Sequence, residues 1–159
     1  MENMASDASQ TPPPWQGVNH VALVTRDLDA TMHFYREVLG MELLFSAPSG
    51  SLHGRHCGLA LGSTAAHGGF LHFFEYAKAP LLSRDEAVLQ ARVFDPGSTF
   101  LSHLSLTLPD ERAGHTLQER LAAHGVPMSP IMDQGGLRNL LFLDNNGMAL
   151  EAAWSTPEL

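Results

Sequence analysis

Two histidines lie at equivalent places in a repeated stretch of the sequence. Residues 18–29 read VNHVALVTRDLD, and a second copy 83 residues later places His103 on His20 and Asp110 on Asp27. In each copy the histidine lies at the start of an otherwise apolar run. An imidazole in such a run is costly to bury unless a partner satisfies it. A metal ion held between two related units would explain both histidines at once.

The ends of the two units supply two further candidate ligands. His72 follows Gly68 by four residues, and Glu151 follows Gly147 by the same interval. If a pseudo-twofold axis relates the units, the four side chains can converge on one point. Three imidazoles and a carboxylate suit Fe, Mn, Co, Ni or Zn. The candidate ligands are therefore His20, His72, His103 and Glu151.

Each candidate also has a purely structural interpretation. His20 and His103 can be core histidines that a hydrogen bond satisfies, His72 can line a pocket without touching metal, and Glu151 can face solvent. Nearby residues leave similar alternatives open. Arg55 and His56 line the cavity or are ordinary strand residues, whereas His53 and several other histidines are expected at the surface. Glu75 is interpreted as a structural or surface residue, because it alternates with His72 along the strand, and Cys57 as a packing residue.

The elements that must position these residues follow from periodicity and turn residues. In the first unit, Asp27 caps a helix over 28–39, in which apolar residues recur at spacings of three and four, and Gly40 ends it. Strands are predicted at 17–25, 41–47, 55–61 and 70–76. The second unit repeats the order, with a helix over 111–124 and strands at 100–108, 128–133, 137–143 and 148–154. Residues 144–147, DNNG, predict a hairpin turn with positive φ at both central positions.

Length and composition fit one globular domain built from two such units. The chain has 159 residues, of which 44% are hydrophobic and 16% charged. Residues 1–16 are predicted to form a disordered, proline-rich tail. The single domain covers 17–154, as module 1 (17–77), a connector (78–99) and module 2 (100–154). A capping box at Ser83 predicts a short helix over 84–92 in the connector.

Charge and cysteine content exclude several classes of partner. The net charge is −8 and Lys78 is the only lysine, so the positive footprint of a nucleic-acid-binding protein is missing. The sequence has no run of 18 apolar residues, so no membrane span is expected. One cysteine rules out an internal disulfide and favours a reducing, cytoplasmic location.

Four stretches of the sequence carry a family resemblance: NHVALV at 19–24, FYREVLGM at 34–41, LHFFEY at 71–76 and LDNNGMALE at 143–151. With them the sequence resembles the vicinal oxygen chelate superfamily, which includes glyoxalase I, fosfomycin- and bleomycin-resistance proteins, methylmalonyl-CoA epimerase and extradiol dioxygenases. The resemblance covers about residues 17–154. It implies an α+β fold of two tandem βαβββ modules, with a mixed, mostly antiparallel sheet forming a cup around the metal. It also suggests a homodimer that acts on a small-molecule substrate.

The reaction depends on His72, where glyoxalase-like members usually have Glu. A four-ligand site predicts a glyoxalase- or epimerase-like lyase or isomerase, in which Glu151 is both ligand and general base. A site of His20, His103 and Glu151 alone matches the facial triad of an Fe(II) ring-cleaving dioxygenase, with His72 as acid or base. The third alternative is a non-catalytic binding or resistance protein, against which the retention of all four polar residues argues.

Overall fold

The computed structural model describes residues 14, 17–62, 68–85, 89 and 101–156. Within them the chain forms two four-stranded sheets, each of which carries one helical segment. No helix among these residues is long and apolar enough to cross a membrane. The predicted tail (apart from residue 14) and most of the predicted connector helix lie outside the described residues, so the division into tail, modules and connector stays a prediction.

Module 1 consists of β1 (His20–Thr25), α1 (Leu28–His33), β2 (Leu43–Ala47), β3 (His56–Ala60) and β4 (Phe70–Glu75). The strand order is β1-β4-β3-β2; β1 is parallel to β4, and the other pairs are antiparallel. Asp27 caps α1 as predicted, since its carboxylate accepts a hydrogen bond from the amide of Ala30. The predicted helix is not α-helical throughout, because it continues as a π-helix over Phe34–Val38.

Module 2 repeats this plan with β5 (Leu104–Thr107), α2 (Glu111–Ala123), β6 (Met132–Asp133), β7 (Leu137–Leu143) and β8 (Ala149–Ser155). The strand order β5-β8-β7-β6 corresponds element by element to that of module 1. The expected repeat is therefore confirmed, as are the α+β class and the two βαβββ modules. Asp110 caps α2 through Ala113 in the same way that Asp27 caps α1.

Two local predictions in module 2 need correction. The strand predicted over 128–133 is reduced to the two residues of β6 and an isolated bridge between Met128 and Phe142. The turn at 144–147 does not have positive φ at both central positions, since only Gly147 has it (φ +78°). The carboxylate of Asp144 closes the turn instead, by accepting hydrogen bonds from the amides of Asn146 (2.8 Å) and Met148 (2.7 Å).

One hydrophobic core joins the two modules. It is formed by the side chains on one face of each sheet together with the apolar sides of the helices, among them Leu28, Phe73, Leu121, Phe142 and Trp154. Polar contacts also link the two modules: Tyr35 donates to Asp144 at 3.0 Å, and Arg120 donates to the carbonyl of Val38 at 3.0 Å. Because these faces pack inward, the opposite face of each sheet carries the candidate ligands.

Candidate metal centre

His20 and His72 lie next to each other on the open face of module 1. In β1 the core-facing residues alternate with exposed ones that include His20, and in β4 Leu71 and Phe73 are buried on the core side while His72 points the other way. Because β1 and β4 are parallel neighbours, the rings of His20 and His72 lie 5.9 Å apart, centroid to centroid. Strand alternation therefore places these two candidates together.

The Nε2 atom of His72 is buried and has no hydrogen-bond partner among the described residues. Burial lowers the pKa of His72, and the nearby imidazoles of His56, His20 and His53 lower it further. The ring is therefore neutral at pH 7, which leaves a lone pair on one nitrogen. A buried imidazole nitrogen without a partner is uncommon, and a metal ion or a substrate proton is the kind of group that would satisfy it.

His103 and Glu151 form the second pair, on the face of the module 2 sheet opposite the main core. Neighbouring residues of this face, Leu141, Leu143 and Ala149, form a second buried cluster with Leu89. The Nε2 of His103 lies 2.9 Å from one carboxylate oxygen of Glu151. Asn139, on β7, donates a hydrogen bond of 2.6 Å to the other oxygen. Glu151 is only 8% exposed, so its carboxylate is held between an imidazole and an amide. His103 immediately precedes β5, one residue outside the strand in which it was expected.

No pattern in the sequence marked Asn139 as a neighbour of the candidate ligands. It lies in the strand predicted at 137–143, and its alternation with buried Leu140 indicates its face only once the partner strand is known. Asn139 is recognised as a partner of Glu151 only from the strand pairing, because β7 lies beside β8 and both side chains point to the same face of the sheet. Residues that orient a ligand are set by such cross-strand neighbours rather than by sequence spacing.

The two pairs do not merge into one group within a single chain. Among residues that the structure describes, no three His, Cys, Asp or Glu side chains are grouped so that they could hold a metal ion. The chemistry of the donors fits a divalent transition metal, and so does the unpartnered nitrogen of His72. Each pair offers two ligands, which is fewer than a metal centre of this kind requires. The assignment of all four residues as metal ligands therefore stays a prediction.

Aromatic rings surround His72 on the open face. The ring of Phe74 lies 4.0 Å from that of His72, and the rings of His56, Phe45 and Phe70 lie at 5.2, 5.3 and 5.7 Å. The open question about His56 is thus resolved, since it belongs to this face. His53 is exposed as expected, but its ring also lies 6.1 Å from that of His56.

Three neighbouring residues have structural roles away from this face. Arg55 forms ion pairs with Asp29 at 2.6 Å and Glu75 at 2.9 Å, so it does not line the cavity. Glu75 also accepts a hydrogen bond from the amide of Leu28 at the start of α1. Cys57 is fully buried in the core, and burial raises the pKa of its thiol to about 11. Its expected role in packing agrees with this environment.

A cavity of about 340 Å³ lies elsewhere, between the modules. Its lining is mainly apolar, and it includes none of the four candidate ligands. The residues that line it come from the segment that follows the π-helix, from the ends of β3 and β5, and from α2, β7 and β8; among them are Leu39, Leu61, Leu106, Leu117 and Phe142. The cavity is therefore a gap in inter-module packing that is separate from the histidine pairs.

Comparison with known proteins places the chain in a family. The family model described as Glyoxalase/Bleomycin resistance protein/Dioxygenase superfamily matches residues 17–152. The chain belongs to this superfamily. The match covers nearly all of both modules and includes all four candidate ligands, in agreement with the resemblance noted from the sequence.

Individual relatives are more distant. The chain is 29% identical over 136 residues to the "Putative ring-cleaving dioxygenase MhqA" of Bacillus subtilis (strain 168). The matched region covers 84% of this chain but only 39% of that protein. The crystal structure of a glyoxylase/bleomycin resistance protein/dioxygenase domain from Frankia sp. EAN1pec is 25% identical, with a TM-score of 0.66 over 88% of this chain and 98% of that one. Lactoylglutathione lyase from Agrobacterium tumefaciens shares the fold at 19% identity, with a TM-score of 0.61 over 89% and 95% of the two chains.

Proposed function

We propose that the chain is a metal-dependent vicinal oxygen chelate enzyme, a lyase or isomerase that acts on a small substrate with two adjacent oxygens. The observation that carries this proposal is the buried, unpartnered Nε2 of His72 beside His20. It makes His72 available as a fourth ligand, in addition to His20, His103 and Glu151. Four protein ligands on a six-coordinate ion leave two positions, which is what a bidentate substrate needs.

The chain's own residues divide the chemistry between them. A metal ion held at the four ligands would supply Lewis-acid polarisation of the substrate oxygens. Glu151 is the general base, because its carboxylate is buried and Asn139 fixes one of its oxygens by a 2.6 Å hydrogen bond. His103 holds the other oxygen at 2.9 Å. The single free lone pair of a neutral His72 ring can bind the metal or accept a proton, but not both at once.

We propose further that a second copy of the chain completes the centre. One chain alone brings His20 to His72 and His103 to Glu151, but its described residues do not gather three ligands. A homodimer with twofold symmetry can place the first pair of one copy against the second pair of the other, and the symmetry then creates two equivalent centres. In this arrangement, the dimer expected from the resemblance is required for metal binding, because it brings the two pairs of ligands together.

A second candidate function is Fe(II)-dependent ring cleavage with oxygen. The observation that favours it is the similarity to the ring-cleaving dioxygenase named above, which extends over 84% of this chain. In this case His20, His103 and Glu151 form the facial triad, and His72 moves a proton at the substrate. The chain spans 39% of that relative's length, so the activity of the whole relative does not transfer directly.

Elemental analysis of protein purified without chelator tests the metal proposal. The expected result is one transition-metal ion per chain, most of which is lost in His103→Ala together with activity. His124→Ala is the matched control, because His124 is exposed just after α2. Metal content that is unchanged in His103→Ala would show that the histidine pairs are not a metal site.

His72→Glu separates the two reactions. If His72 is a ligand, glutamate replaces it, and the metal stays bound with a changed preference. If His72 is an acid or base beside a three-ligand iron site, the variant keeps iron but loses turnover, measured as oxygen uptake with a panel of catechols. Both outcomes depend on where the lone pair of the imidazole is directed.

A further inference from the structure

The cavity between the modules is bounded by residues of both. Module 1 contributes the segment after the π-helix and the end of β3, and module 2 contributes β5, α2, β7 and β8. Among the described residues that line it, Glu42 alone is charged, and it is exposed. A cavity of about 150 Å³ lined by apolar side chains is already large enough to take up benzene. The volume of about 340 Å³ found here has room for an alkyl chain of about eight to ten carbon atoms.

An adjoining groove runs from this cavity along α2. Its volume is about 530 Å³, and four of the residues that line it also line the cavity: Leu39, Gly40, Leu108 and Leu117. The remaining residues of the groove are mostly polar or charged and include Arg112 and Arg120, so we call it the arginine groove. An apolar interior that continues into a region with a few polar groups is the usual form of a small-molecule site.

The guanidinium of Arg120 lies where the cavity and the arginine groove meet. Its Nη2 atom is 3.7 Å from the position of a Cβ atom built on Gly40, which lines both spaces. Two backbone carbonyls of module 1 hold the group in place, since Nε donates to Val38 at 3.0 Å and Nη2 donates to Glu37 at 2.7 Å. Its Nη1 atom has no hydrogen-bond partner among the described residues. A fixed guanidinium with free donors suits a carboxylate.

Arg112 adds a second positive charge to the arginine groove. It lies about two turns before Arg120 on α2, is exposed, and makes no ion pair among the described residues. Arg55 and Arg138, by contrast, are each paired with two carboxylates. Asp110 also lines the groove, but its carboxylate caps the start of α2. Two arginines without a carboxylate partner thus line one groove, in a chain whose net charge is −8.

We propose that the cavity and the arginine groove form a second ligand site, which binds an aliphatic carboxylate of about eight to ten carbon atoms. The alkyl chain occupies the cavity between the modules, and the carboxylate lies in the groove, where Arg120 and Arg112 donate hydrogen bonds to it. None of the four candidate metal ligands lines either space, so the inference does not rest on the proposed function. Because both modules line the cavity, the bound chain stabilises their packing against each other.

Isothermal titration calorimetry of the full chain tests this inference with four probes: octanoate, butyrate, 1-octanol and octylammonium. Octanoate should bind at least about fiftyfold more tightly than butyrate, because four more methylene groups leave water. A metal ion that bound the carboxylate group alone would not separate the two acids by chain length. Octanoate should also bind at least about fivefold more tightly than octylammonium, although the net charge of −8 attracts the cation. Saturating octanoate should raise the Tm.

Three variants locate the two ends of the ligand. Arg112→Gln should weaken octanoate binding about three- to fivefold, as expected for the loss of one exposed ion pair, and leave 1-octanol binding unchanged. Arg36→Gln is the matched control, because Arg36 is also exposed but lines neither space, and it should leave both affinities unchanged. Leu61→Trp places an indole ring in the cavity and should abolish the binding of octanoate and 1-octanol. If this variant does not fold, Arg112→Gln and the four probes decide the question.

Equal affinities for octanoate and butyrate overturn the inference, and so does an Arg112→Gln variant that binds octanoate as the wild type does. A folded Leu61→Trp variant that still binds octanoate overturns it as well. His103→Ala keeps the two outcomes apart, because it removes a candidate metal ligand outside this site. Octanoate binding retained in His103→Ala supports the inference whether or not the proposed metal function holds, whereas its loss would assign the carboxylate to the metal centre and overturn the inference.

Discussion

Mixing two inactive variants would test whether a second chain completes the metal centre. One variant carries His20→Ala and His72→Ala, which removes the pair on module 1. The other carries His103→Ala and Glu151→Ala, which removes the pair on module 2. Each variant alone should bind little metal, because every centre in its dimer has only half of its ligands. In a mixed dimer, however, one complete centre can form, because the first variant still supplies the pair on module 2 and the second variant still supplies the pair on module 1.

The size of the recovery follows from the symmetry. When equal amounts of the two variants are unfolded together and refolded, about half of the dimers contain one chain of each kind. Each mixed dimer has one complete centre and one centre without any of its four ligands. Metal content, measured by mass spectrometry after gel filtration, should therefore return to about one quarter of the wild-type value, with activity in proportion.

The result that would refute this reasoning is the absence of recovery in a mixture that forms dimers. A centre built from the four residues of a single chain is damaged in every molecule of the mixture, so mixing cannot restore it. Wild-type protein taken through the same unfolding and refolding gives the reference value. Each variant refolded alone gives the background.

Three further predictions concern stability. Gly114→Ala should destabilise the fold by about 1–3 kcal/mol in urea denaturation, because its Cβ would lie 2.6 Å from the Trp154 ring; unchanged stability would contradict the packing described. Asp144→Ala should cost about 3 kcal/mol by the same assay, since the buried hydroxyl of Tyr35 and two backbone amides lose their acceptor, whereas Asp144→Asn should cost less. The hydrogen bond that Glu111 accepts from Trp154 contributes most to lowering the pKa of Glu111 below its ordinary value of 4.5, and a hydrogen bond from a neighbouring arginine lowers that pKa further. The folded state therefore binds fewer protons, so the Tm should fall as the pH drops below about 4.5, and Glu111→Gln should flatten that dependence.

Local sequence signals predicted the elements well where the physics is local. Asp27 and Asp110 precede their helices with a side chain that can accept an amide hydrogen bond, and both do so. The strand at 137–143 was predicted with the bounds that the structure shows. Alternation also placed His72 opposite the core-facing Phe73 without any knowledge of the neighbouring strands.

Features that depend on contacts between modules were not predictable in this way. The helix over 28–39 reads as regular, yet its second half is a π-helix in which the adjacent residues Phe34 and Tyr35 are both buried. The hydroxyl of that tyrosine reaches Asp144, a residue 109 positions later in the chain. Apolar residues that recur with the helical period of 3.6 residues give no information about such a distant partner. The π-helix, with its wider turn, is therefore apparent only in the folded chain.

The same distinction explains why the placement of two candidate ligands in each module was predictable, while the point at which all four would meet was not. The repeat of His20 at His103, and the match of His72 to Glu151, follow from a duplicated strand pattern that each module satisfies by itself. Whether the two pairs meet within one chain or across two copies depends on how the modules pack, which no local pattern in the sequence specifies. The structure brings each pair together through one parallel strand contact, β1 with β4 and β5 with β8. Each module thus presents two of the four candidate ligands, and under the proposed function such a pair is useful only when it meets the other pair.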